Sequence, residues 1–108
     1  MSTARIRELN DAYRCHGIGN GRTIYTRSLC DLGVGFKLAA LLCVKSFVDF
    51  AKDNDPHGEH DFGSFELDGQ KVYFKFDYYD RNLEFGSEDP SDPEQTTRVL
   101  TVMLASDY

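Results

Sequence analysis

The stretch D-F-G-S-F-E-L-D-G-Q-K-V-Y-F-K-F-D-Y-Y, residues 61–79, constrains the fold more than any other. Its two halves alternate apolar and polar residues with a period of two. They flank Asp68-Gly69, a preferred central pair of a type I′ turn, in which both residues take positive φ. A two-residue turn leaves one register: Leu67 opposite Gln70, Glu66 opposite Lys71, Phe65 opposite Val72. Phe65, Leu67, Val72, Phe74 and Phe76 then share the core side, while Glu66 meets Lys71 on the other. Counting outward, the same register sets Phe62 beside Lys75 and His60 opposite Asp77.

A hairpin alone cannot bury its apolar face, so the rest of the chain must supply a layer to cover it. Residues 3–14 place Ile6, Leu9 and Tyr13 on one stripe of an amphipathic helix. H-G-I-G-N-G-R supplies a turn, and T-I-Y-T-R-S-L reads as a strand with Ile24 facing away from Thr23 and Tyr25. Residues 34–51 read as a long helix, with Phe36, Ala39, Ala40, Cys43, Val44 and Phe47 at helical spacing and apolar surface enough to be covered on more than one side. Gly33 and Gly35 form its starting turn and not a phosphate loop, because neither G-K-[ST] nor G-x-G-x-x-G follows. At the C-terminus, Asp92, Pro93, Glu94 and Gln95 have the chemistry of a helix start, predicting a helix to about Ala105. The expectation is a single α+β domain, residues 1–108, with a small antiparallel sheet and a central β-hairpin packed against about three helices.

At 108 residues the chain is one domain by length, and folding removes roughly two thirds of its unfolded surface from water. Cys15, Cys30 and Cys43 match neither a disulfide framework nor a metal pair, so reduced thiols are expected, with Cys43 filling the core. No run has the apolar length of a membrane span, and the charged M-S-T-A-R-I-R-E start is unlike a secretion signal, pointing to the cytoplasm. Residues 1–50 carry seven Lys/Arg against four Asp/Glu; residues 51–108 carry five against fourteen. A field of net −9 repels phosphates, which argues against direct nucleic-acid binding by that half and favours a protein partner with a basic surface.

The acids concentrate in residues 77–94, where seven face Arg81 alone. Asp77, Asp80, Glu84, Glu88 and Asp89 are therefore the candidate binding residues. The competing reading is a solvated face with no partner. A second constellation is D-N-D-P-H-G-E-H-D-F-G, residues 53–63. His57, His60 and Asp61 supply metal-type ligands, and Asp77 lies across the hairpin. These four residues define an alternative, a metal-dependent enzyme holding zinc or manganese. Asp77 orienting His60 as a base is the metal-free version. Against both stands a structural role, with the loop's polar side chains bonding its own backbone. No cofactor is expected.

The motifs N-D-P-H-G-E-H-D-F-G, F-D-Y-Y-D-R, L-E-F-G-S-E-D-P and T-T-R-V-L-T-V-M-L together resemble a family of short bacterial proteins known as domain of unknown function 3768. The resemblance runs from L-N-D-A-Y-R at residues 9–14 to the C-terminus, weakest over residues 15–35. It carries no catalytic residues over, since the family has no established activity. It implies cargo of plasmids and other mobile elements, in the company of anti-restriction and DNA-maintenance genes. The resulting expectation is a small acidic, non-catalytic binding protein in mobile-element maintenance or evasion of host defence, of the anti-restriction or anti-CRISPR type.

Overall fold

The computed structural model describes residues 2–108. In chain order it forms α1 (Thr3–His16), β1 (Gly21–Tyr25), α2 (Arg27–Cys30), α3 (Val34–Ser46), β2 (Phe62–Leu67), β3 (Gln70–Tyr79), β4 (Thr97–Leu104) and a closing 3₁₀ turn (Ala105–Asp107). The architecture is α+β. The sheet has the order β1-β4-β3-β2 and is mixed, because β1 runs parallel to β4 while the other pairs are antiparallel.

The β2–β3 hairpin has the register its turn predicts, from Leu67↔Gln70 to Phe62↔Lys75, with Asp68 at φ 50° and Gly69 at φ 78°. One face of the sheet carries Val72, Phe74 and Phe76 of β3 and Leu100 and Val102 of β4. They pack against Leu29 of α2, Ala40 and Val44 of α3, and Phe47 just beyond. Gly63 lets Phe74 and Phe47 meet across β2, since a Cβ there would lie 2.4 Å from one ring and 2.9 Å from the other.

The expected C-terminal helix is instead β4. The capping chemistry is real but closes only a turn: Asp92 accepts hydrogen bonds from the Glu94 amide (2.9 Å) and the Gln95 side chain (2.8 Å). Beyond it, T-T-R-V-L-T-V-M-L is rich in β-branched residues, and β3 has an edge to satisfy. Eight residue pairs to β3 and five to β1 make β4 a central strand buried on both faces. A continuous apolar run of that kind has no period to distinguish it from a buried helix.

Two helices differ in detail. Helix α3 ends at Ser46, not at residue 51, and its outer face is open, with Val34, Leu38 and Leu42 at 73%, 56% and 67% exposure, where covering on more than one side was expected. Cys43 is only half-buried, and all three cysteines are free. On α1 the buried residues are Ile6, Asn10 and Arg14, so two polar side chains share the face where Leu9 and Tyr13 were expected to dominate. Tyr13 still meets the core, edge-on to Phe76, and its hydroxyl bonds that of Thr23 (2.9 Å).

Candidate functional site

Residues 47–61 link α3 to the sheet, and the polar stripe of α1 holds this loop down. Arg7 donates to the Gly58 carbonyl (2.9 Å), and the Asn10 amide donates to the Glu59 carbonyl (3.1 Å). Arg14 donates to the Val44 and Phe47 carbonyls (2.7 and 2.9 Å) at the end of α3, where the Val44 carbonyl otherwise accepts only the long bond from the Phe47 amide (3.4 Å). Its guanidinium also lies over the rings of Phe50 and Phe74.

Asn10 is the hub of a second, deeper group. Its amide donates to the Tyr78 hydroxyl (2.8 Å), and its carbonyl oxygen accepts from Arg98 Nε (2.8 Å). Tyr78 in turn donates to the Glu59 carboxylate (2.9 Å), and Arg98 reaches the Pro90 carbonyl. Burial, with the Glu59 carboxylate alongside, holds the Tyr78 phenol well above its ordinary range, so it remains a donor. Burial likewise lowers Arg98.

His60 is not opposite Asp77. At φ 56° it leaves the strand direction, its amide held by the Asp55 carboxylate (3.0 Å) and its ring stacked on Phe50 at 3.9 Å. Nδ1 sits 3.0 Å from both carboxylate oxygens of Asp11, which also pairs with Arg14. Asp77 faces Val99 of β4 and pairs with Lys75 at 2.6 Å. His57, Asp61 and Asp77 do line one open cleft of about 490 Å³, with Phe62, Lys75 and Tyr108, whereas His60 lines a different one with Asp11 and Arg14. Burial chiefly, then the Glu59 carboxylate, raises the pKa of Asp61. Among the described residues no three His, Cys, Asp or Glu side chains converge as a metal site, so the ligand set His57, His60, Asp61 with Asp77 is not assembled.

The acidic segment between β3 and β4 is structured by its own carboxylates. Asp80 accepts from the amides of Asn82 (3.1 Å) and Glu84 (3.0 Å), and its amide bonds the Phe85 carbonyl (2.8 Å). A bridge between Tyr79 and Gly86 closes this small loop. Asp89 accepts from the Ser91 amide and hydroxyl, and the hydroxyl bond holds its carboxyl below the usual range. Asp77, Asp80 and Asp89 thus have internal partners. Glu84 and Glu88 are exposed, and their carboxylates join none of the hydrogen bonds or ion pairs among the described residues. Beside them Phe85 is 71% exposed and Leu83 36%. Sequence reasoning passed over both apolar residues, although a phenylalanine inside an acidic run was a visible signal.

The family described as protein of unknown function (DUF3768) matches residues 25–107. The chain belongs to that family. The DUF3768 match begins well after L-N-D-A-Y-R, so α1 and its clamp residues Arg7, Asn10, Asp11 and Arg14 lie outside it. Both the cleft and the acidic loop lie inside the DUF3768 segment, apart from Tyr108 of the cleft. Comparison with curated proteins and with solved structures returns no match.

Proposed function

We propose that this chain is a non-catalytic binding protein whose acidic loop, residues 80–95, docks on a protein partner with a basic surface. The observation that carries the reading is Phe85: a large aromatic ring left in water on a loop stiffened by Asp80, between two glutamates with no internal partner. Aromatic anchors ringed by charge are the usual centre of a protein interface. A loop already braced before contact loses less entropy on binding. Of the acids Asp77, Asp80, Glu84, Glu88 and Asp89, the reading gives contact to Glu84 and Glu88. It leaves Asp80 and Asp89 to hold the loop, and Asp77 to its lysine. The setting is mobile-element maintenance or evasion of host defence, on the strength of the family resemblance alone.

Affinity capture on the immobilised chain tests this, with the Phe85→Ala and Glu84→Gln/Glu88→Gln variants beside it at two salt concentrations. Loss of an interface anchor typically costs about 2 kcal/mol, so captured partners should bind Phe85→Ala roughly 30-fold more weakly. Removing the two carboxylates should flatten the salt dependence. Partners retained equally by all variants would refute the assignment.

A further inference from the structure

Between β3 and β4 the chain leaves an open cleft of about 430 Å³, lined among others by Asp80, Arg81, Phe85, Glu88 and Gln95. Glu84 does not line it. The ring of Phe85, 71% exposed, supplies an apolar wall. The polar groups beside that ring are acceptors in excess. Asp80 takes the amides of Asn82 and Glu84 both on Oδ1, so its Oδ2 has no donor among the described residues. Gln95 commits its amide nitrogen to Asp92 (2.8 Å), which leaves its carbonyl oxygen. The Glu88 carboxylate joins no hydrogen bond or ion pair among the described residues. Against these stands Arg81, which turns to the Glu94 carbonyl (3.4 Å). Asp80 and Glu88 outweigh it, inside a segment where seven acids face that one arginine.

We infer that this cleft receives an arginine side chain of the protein partner, with the guanidinium flat on the Phe85 ring and its N–H groups on Glu88, Gln95 Oε1 and Asp80 Oδ2. The inference rests on the proposed docking of the acidic loop and narrows it to one side-chain type. An aromatic face attracts a cation. A site of unused acceptors suits a group made only of donors, and arginine and lysine are the side chains of that kind with a fixed charge. The choice between them follows from shape. A guanidinium is planar and weakly hydrated, so it stacks on a ring and donates along its edge at the same time. An ammonium is a strongly hydrated point charge and gains the ring only by giving up water or acceptors. The two free glutamates then have different roles. Glu88 bonds the guanidinium, while Glu84, outside the cleft, acts on it only through its field.

Titration of the intact isotope-labelled chain with blocked tripeptides tests this, the central residue being arginine, lysine or citrulline between two glycines. The amide shifts of Phe85, Gly86 and Glu88 are the readout. The arginine peptide should give saturable shifts with a Kd of about 1–10 mM, the strength of a few exposed contacts. The lysine peptide should bind at least about threefold more weakly, and citrulline, which keeps the shape without the charge, should not bind measurably. Phe85→Leu and Glu88→Gln should each weaken the arginine peptide about threefold, whereas Glu84→Gln at physiological salt should change it by less than about 1.5-fold. Equal binding of arginine and lysine overturns the inference, and so do equal effects of Glu84→Gln and Glu88→Gln or the absence of saturable shifts. The two readings fail separately. Captured partners that depend on Phe85, in a chain that binds no arginine peptide, leave the docking loop standing and remove the arginine slot. Arginine-peptide binding in a chain whose captured partners ignore Phe85 and Glu88 removes the docking loop.

Discussion

Asn10→Ala is the most informative single change in this protein. Asn10 is fully buried on α1 and makes three hydrogen bonds: two from its amide, to Tyr78 and the Glu59 carbonyl, and one to its oxygen from Arg98. Alanine retains helix propensity, so the loss is confined to those bonds. The bond from charged Arg98 is worth about 2 kcal/mol and the two neutral bonds about 1 kcal/mol each. The shortened side chain leaves Arg98 Nε without a partner inside the protein, where no water replaces the lost acceptor cheaply. A loss of about 4 kcal/mol is therefore expected, a large share of the 5–15 kcal/mol typical of a domain. The melting temperature should fall by roughly 15–25 °C at this chain length. Urea denaturation of the wild type, Asn10→Ala, Arg98→Met and the double variant reads the magnitude and the coupling together. In the double variant the orphaned donor is gone, so the two losses should fall short of additive by more than about 1 kcal/mol. A single-variant loss below about 1 kcal/mol, or simple additivity, would refute the view that Asn10 is the hub of the α1 clamp.

Two further consequences can be checked on the same material. Asp107 accepts from the hydroxyls of Ser28 (2.6 Å) and Thr26 (2.8 Å) and from the Leu104 amide, which hold its carboxyl below the usual range and tie the C-terminus to the start of α2. A depressed folded-state pKa means stability that is present above the unfolded carboxylate value and lost as pH falls through the folded one. Asp107→Asn should therefore be less stable than wild type at neutral pH, with the gap closing in acid melts. Gly63→Ala forces a methyl into the Phe74 and Phe47 rings and should cost about 2–3 kcal/mol in urea, the overpacking range; a neutral result would mean those rings move freely.

What could be read in advance divides by the range of the interaction. Asp68-Gly69 sets the hairpin register locally, so all six pairs of β2 with β3 follow from counting residues. His60 escapes that counting because Asp55, Asp11 and Phe50 draw it off the strand, and two of those three are brought beside it only by packing against other elements. The segment Thr97–Leu104 failed for a related reason. Its helix-start chemistry is a true local signal, but the demand for a strand beside both β1 and β3 is tertiary. The roles of Asp80, Asp89 and Asp92 were more accessible. Each caps backbone amides two to four residues on, which short aspartate-led turns such as D-R-N and D-P-S forecast. On α1, hydrophobic periodicity picked out Ile6, Leu9 and Tyr13, and it passed over Asn10 and Arg14, which share the buried face with Ile6. Their partners on β3, β4 and residues 44–60 could not be known before the fold was.

The DUF3768 segment leaves out several of the contacts that hold the sheet and loop together. Residues 25–107 contain β2, β3 and β4 but only the last residue of β1, and none of α1. Cut at that boundary, the sheet loses its parallel edge. Arg98 loses Asn10, and the carbonyls of Val44 and Phe47 lose the guanidinium that caps them. Several buried polar groups would be stranded at once, each costing about 1–3 kcal/mol, which together exceed the margin of a chain this small. A fragment of residues 25–108 should accordingly lack a cooperative urea transition. A peptide of residues 2–24 added in trans should restore one, since it carries both the clamp and the missing strand. If the fragment unfolds cooperatively by itself, α1 is an attachment and not part of the domain. If the peptide restores the transition but its Asn10→Ala form does not, the buried bonds to Tyr78 and Arg98 are what make residues 1–108 one unit.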